Sequence, residues 1–212
     1  MRGWYNFGML KELTVGTTNP GKVAQIKGAL GPLGISVRGV EDKNLLPNVV
    51  EDGKTANENA HKKAIAYAAA LNEVVLSMDN ALYFDELPEN QQPGLHVRRI
   101  NGSDNRVSDS ELLAHFVSVI KSLGGSTKGH WEFGVCVATP KGKCAETIII
   151  SPRVFIDQPS SNVVEGYPLE SIQTDPATGK IISDMTQLEQ DEFWQRAIGQ
   201  QLQVFVSSLE LD

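Results

Sequence analysis

The sequence predicts an α/β protein, a mixed β-sheet flanked by helices, in a single domain over residues 11–212 that follows an N-terminal extension at 1–10. Three observations lead there. Strand-like and helix-like stretches alternate early in the chain, as βαβ units do. The middle carries a hairpin signal, which demands antiparallel pairing, so the sheet is mixed and not purely parallel. A chain of 212 residues, 41% of them hydrophobic, can fill one substantial core, divisible into two lobes, and it shows no internal repeat.

LTVGTTN (13–19) reads as strand then turn, and PGKVAQIKGALGPLG (20–34) as a helix with Asn19 as cap, Pro20 at its first position and glycine at its end. Gly16 and Gly21-Lys22 meet the G-x-x-x-x-G-K spacing of a phosphate loop, yet Val23 stands where that loop needs a hydroxyl for magnesium. Backbone amides at the helix start, with Lys22, still favour an anionic oxygen, and an ordinary strand-to-helix turn fits the same letters. ISVRGV (35–40) alternates as a second strand, followed by a polar acidic loop at 41–53. TANENAHKKAIAYAAALN (55–72) is a helix, capped by Thr55 with Glu58 three residues on, whose alanines imply close packing on a sheet. EVVLSMDNALYFDEL (73–87) reads as a buried strand, a polar interruption at Asp79-Asn80, and a second extended piece. Turn residues fill 88–106, and 108–125 is a capped helix ending at glycines. Residues 130–156 are two β-rich runs joined by TPKGK, 157–186 is irregular, and the last helix, about 187–208, lines up Trp194, Ile198, Leu202, Phe205 and Leu209 in one apolar stripe.

Composition excludes several classes. A formal charge of -7 argues against nucleic acid or an anionic membrane as the main partner. No apolar run is long enough to span a bilayer and the start is no secretory signal, so the expected location is the cytoplasm. Cys136 and Cys144, eight residues apart with no matching His cluster, make no zinc pattern and are expected as reduced thiols in strands; His61, His96, His115 and His130 lack metal-ligand spacing with one another.

Four stretches together resemble the inosine triphosphate pyrophosphatase family. Thr17, Asn19 and Lys22 are similar to its T-x-N-x-x-K; EDGKTANENAHKKA (51–64) resembles its E-x-G-x-T-F-x-E-N-A-x-x-K-A, with Ala56 where an aromatic is usual. SMDNAL (77–82) is similar to D-D-S-G-L through Asp79 and Leu82, and QPGLHVRR (92–99) to P-G-x-x-S-x-R through Pro93, Gly94 and Arg99. The resemblance is firm over 13 to about 100 and weaker to about 200.

It implies a two-lobed fold around a central nucleotide cleft, a homodimer, and hydrolysis of a non-canonical nucleoside triphosphate to monophosphate and pyrophosphate. Glu51 and Asp79 would hold Mg2+, with Glu58 as a further metal-linked acid or simply the capping partner of Thr55. Asp79, Lys22 and Lys63 would act on the phosphates, and Thr17, Thr18, Asn19, Lys22, Asn59, Arg99 and Arg196 would bind substrate. Each of these residues has a plain reading as turn, cap or solvated charge. Three departures stand out: Met78 replaces a second Asp, Gln25 replaces a Glu, and Trp194-Gln195-Arg196 stands where the family's S-H-R reads the base. They keep a second reading open, a catalytically impaired nucleotide-binding sensor, and a third, a protein-interaction module on the same fold.

Overall fold

The protein is described here by a computed structural model covering residues 10–100 and 105–210; apart from Leu10, the expected N-terminal extension lies outside the described residues. In chain order the elements are β1 (Glu12–Val15), α1 (Pro20–Leu30), β2 (Ser36–Gly39), α2 (Ala56–Leu71), β3 (Val75–Phe84), α3 (Asp109–Ser122), β4 (Ser126–Ala138), β5 (Cys144–Ile156), β6 (Gln173–Thr174), α4 (Gln187–Trp194) and α5 (Gln200–Ser207). They form one six-stranded sheet in the order β2-β1-β3-β4-β5-β6. β1 runs parallel to β2 and β3, and the remaining pairs are antiparallel, so the sheet is mixed.

Local chemistry sets the helix starts. Asn19 accepts the Gly21 and Lys22 amides ahead of α1, where Pro20 has no N–H to lose. Thr55 accepts the Glu58 amide ahead of α2, which ends at Asn72 in the left-handed region, φ 53°. Reciprocal capping boxes, Ser108 with Glu111 and Thr186 with Glu189, open α3 and α4. The α2 face that meets the sheet is Ala60, Ala64 and Ala68, all fully buried, so the helix lies close to the strands.

The structure corrects the sequence reading in three places. Residues 75–84 are one continuous strand: Asp79 and Asn80 stay in the ladder, opposite Gly134 and Phe133, so Asp79 sits in mid-strand and not at a strand's end. Ten unbroken pairings with β4 outweigh the turn preference of Asp-Asn. The last helix is interrupted between α4 and α5 by a π-turn, Gln195–Gly199, in which the Gln200 amide donates to the Gln195 carbonyl. The apolar stripe survives this turn, with Ile198 and Leu202 buried and Trp194, Phe205 and Leu209 packed beside them. The irregular stretch 157–186 holds a 3-10 turn at Pro168–Ile172 and the short β6.

Two apolar clusters make the two lobes. One gathers Leu13, Ile26, Leu76, Met78, Val135 and Ile198 between the sheet and α1 with α5. The other gathers Leu82, Phe84, Phe116, Phe155, Leu169 and Ile172 beneath α3. Trp131 packs against both.

Candidate active site

The site begins where β1 stops. The Gly16 amide donates to the Leu76 carbonyl at 2.8 Å, and a Cβ at Gly16 would stand 2.6 Å from Ser77 Oγ, so only glycine lets the turn leave the sheet here. Thr17 Oγ1 accepts the Asn19 amide at 3.1 Å. Asn19 Oδ1 accepts three donors: the Gly21 amide at 2.9 Å, the Lys22 amide at 3.3 Å and the Tyr167 hydroxyl at 2.8 Å. Its Nδ2 group is therefore the end turned to donate elsewhere. Gly21 lies against Tyr167, whose hydroxyl would be 2.6 Å from an added Cβ.

Behind the turn stand two lysines and two acids. Lys63, on α2 and only 8% exposed, donates to Glu51 Oε2 and to Asp79 Oδ1, both at 3.1 Å. One helical turn earlier, Asn59 Oδ1 accepts the Gly53 amide at 2.8 Å, tying the loop that carries Glu51 to the same helix. Strand alternation does the rest: Met78 points into the core beneath α1, while Asp79 points to the α2 face. Lys22 Nζ donates to the Met78 carbonyl at 3.4 Å. Burial first, then the neighbouring Lys63 charge, lowers the Lys22 ammonium to about 8; Asp79 and Glu51 oppose this, and Arg106 adds to it.

Thr17, Asn19, Lys22, Glu51, Lys63 and Asp79 thus converge, with Thr18 exposed on the same turn. Other expected residues are placed differently. Asn59 is buried and serves the loop, and Glu58 accepts the Lys54 amide at 2.8 Å. Arg99 lines a separate hollow with Gln91, Pro93 and Phe116, and Arg196 pairs with Asp175 at 2.8 Å.

Sequence reasoning passed over Arg106, whose charge reaches Lys22, and Tyr167, which locks Asn19. The only signals were a lone basic residue ahead of a helix cap and a lone aromatic in a polar loop. The loop after Tyr167 carries Glu170, which burial raises to about 7 against the opposing charge of Arg153. Arg153 itself is buried over the Phe193 ring, 4.5 Å from its centroid.

Residues 13–152 match the model of the Ham1 family. Over 134 residues the chain is 34% identical to a dITP/XTP pyrophosphatase of Exiguobacterium sp., a match covering 62% of this chain and 65% of that protein, just under two thirds of its length. It is 28% identical over 191 residues to a dITP/XTP pyrophosphatase of Halalkalibacterium halodurans, covering 88% and 94%. In three dimensions it is similar to the Staphylococcus aureus Ham1 protein, with a TM-score of 0.69 and 21% identity over 93% of this chain and 98% of that one.

Proposed function

We propose, from the premise that this chain belongs to the Ham1 family, that it is an enzyme: a nucleoside triphosphate pyrophosphatase that hydrolyses non-canonical purine nucleoside triphosphates to monophosphate and pyrophosphate. The observation that carries this reading is Lys63, one ammonium gripping Glu51 and Asp79 beside Lys22 and a helix N-terminus. In the reaction a water oxygen bonds to the α-phosphorus while the bond to the bridging oxygen breaks, and pyrophosphate leaves with the electron pair. The water's proton passes to Asp79 or Glu51. Lys22, Lys63, the positive end of the α1 dipole and the Asn19 amide group take up the charge of the polyphosphate.

Magnesium fits the donor set. Glu51 and Asp79 offer hard carboxylate oxygens converging on one point, and Glu51, with its side chain 49% exposed, has room to turn toward an ion. Bound there, magnesium would supply further neutralisation of phosphate charge.

The sensor reading rests on Met78, Gln25 and the Trp194-Gln195-Arg196 replacement. Since the Met78 side chain lies in the core on the face opposite Asp79, its presence strips no ligand from the Asp79 side, which favours turnover. Base preference is open to test, because Trp194 packs into the core and Arg196 is engaged with Asp175. A two-copy assembly and a cytoplasmic site of action belong to the same proposal; among the described residues, no helix is long and apolar enough to cross a membrane.

The test is pyrophosphate release from inosine, xanthosine and canonical triphosphates with magnesium, comparing the native chain with Asp79→Asn. Metal-dependent turnover lost in the variant supports the enzyme. Saturable binding without turnover in either chain leaves the sensor.

A further inference from the structure

The two cysteines that are eight residues apart in the sequence are not alone in the fold. Cys136 on β4 lies directly opposite Glu146 on β5, and Cys144 pairs with Ala138 two residues along, so all three side chains share the sheet face covered by α2. His61 comes down from α2 to the same spot. Its Nδ1 is paired with Glu146 Oε1 and stands 3.8 Å from Cys144 Sγ. The four donor atoms lie within 4.8 Å of one another, and among the described residues no other His, Cys, Asp and Glu group converges in this way.

We propose that His61, Cys136, Cys144 and Glu146 form a binding site for one zinc ion, separate from the triphosphate pocket. One imidazole nitrogen, two sulfurs and one carboxylate oxygen are a tetrahedral zinc donor set, and two thiolates select against magnesium. With metal–ligand bonds of about 2.0–2.3 Å, tetrahedral donors stand roughly 3.3–3.8 Å apart. The cluster needs to contract by no more than about 1.5 Å from its 4.8 Å spread, through rotation of His61 and Glu146, whose side chains are 42% and 33% exposed. The same exposure gives the ion a way in. Asn57, one turn before His61 on α2, donates to the second Glu146 oxygen, the outer contact that orients a ligating carboxylate. Its own Oδ1 is buried with no partner among the described residues. Without a cation, burial and then the nearby Cys144 and Glu146 hold the Cys136 thiol protonated, so binding should expel protons.

The site would staple α2 to the β4–β5 hairpin. His61 and Lys63 are two residues apart, about 200° around the helix, so the staple grips the flank opposite the one that holds Glu51 and Asp79.

The experiment uses the full chain, free of any metal-binding tag, stripped with a chelator under reducing conditions. Zinc is titrated against a chromophoric competitor in excess magnesium, and cobalt(II) is titrated in parallel. Expected are one zinc per chain, a thiolate-to-cobalt charge-transfer band, and loss of the band with at least about 100-fold weaker zinc binding in both Cys144→Ser and His61→Ala, while Asp79→Asn binds as the native chain does. Cys144→Ser is close to isosteric at a half-buried position, and circular dichroism and melting are used to check its fold. Absence of stoichiometric zinc, zinc affinity unchanged in folded Cys144→Ser, or a Cys136–Cys144 disulfide in place of two titratable thiols in freshly isolated protein would each overturn the assignment. None of these readouts depends on pyrophosphatase activity.

Discussion

Gly134→Ala tests how closely the chemistry depends on the seating of α2. An added Cβ at Gly134 would stand 2.6 Å from the Ala56 carbonyl oxygen and closer still to the Ala56 carbonyl carbon and Asn57 amide nitrogen, where ordinary contact begins at 3.4 Å. These are backbone atoms, so the first turn of the helix must withdraw by about 1 Å, at an overpacking cost of about 1–3 kcal/mol. Lys63 is two turns further on, about 10 Å along the axis, and a rigid helix carries it along. Its two 3.1 Å contacts then open to about 4 Å, losing about 1 kcal/mol of attraction to Asp79 at an effective dielectric of 20, and less to the half-exposed Glu51. A 1 Å displacement of a positioned group costs on the order of 100-fold in rate. The assay is urea unfolding alongside pyrophosphate release at saturating triphosphate, at a temperature where the variant is folded. Gly28→Ala is the control, since its Cβ meets nothing within 4 Å in mid-helix, and it should stabilise by about 0.5–1 kcal/mol with turnover unchanged. Gly134→Ala with native stability and turnover would refute the reasoning.

Four further outcomes follow. Lys22 titrates at about 8 in the free protein and near 10.5 when unfolded, so the unfolded state holds more protons between these values and folding stability rises with pH across that window, a rise missing in Lys22→Met. Triphosphate bound as proposed would restore the Lys22 proton, so affinity should fall as pH climbs past 8, with proton uptake at pH about 9 in calorimetry run in two buffers of different ionisation heat; zero uptake refutes the coupling. Tyr167→Phe removes one of three donors to Asn19 Oδ1 and should cost about 1 kcal/mol in urea unfolding, with a raised KM for triphosphate and an unchanged kcat; equal falls in kcat would place Tyr167 in the chemistry itself. Asn72→Gly relieves a left-handed residue at the end of α2 and should stabilise by up to about 1 kcal/mol without altering turnover; destabilisation would show that the Asn72 side chain contributes more than its backbone strain costs.

The parts legible in the sequence were those with local causes. Thr55, Ser108 and Thr186 mark their helices because a cap needs only its own first turn, and the TPKGK hairpin is marked by its turn residues. Asp79-Asn80 misled for the same reason: the local preference is a turn, and the ladder that overrides it is contributed by β4, fifty-odd residues away. Arg99 and Arg106 are indistinguishable as letters in a turn-rich stretch, and only the fold brings the charge of the second to bear on Lys22. His61 and the two cysteines carry no spacing signal because helix and hairpin bring them together from 75 to 83 residues apart. The π-turn has no letter of its own, and at Gly199 an added Cβ would meet the end of the flexible Gln195 side chain.

Ala60, Ala64 and Ala68 form a seam of methyl groups, and beside it Gly134 admits the helix backbone itself. No side chain in that seam can grow without lifting α2, and lifting it disturbs Asn59 and Lys63 on one flank together with Asn57 and His61 on the other. A larger side chain at Ala60, Ala64 or Ala68 would therefore disturb both flanks of the helix at once. The proposed phosphate chemistry thus leans on alanines and a glycine that carry no polar side chain of their own.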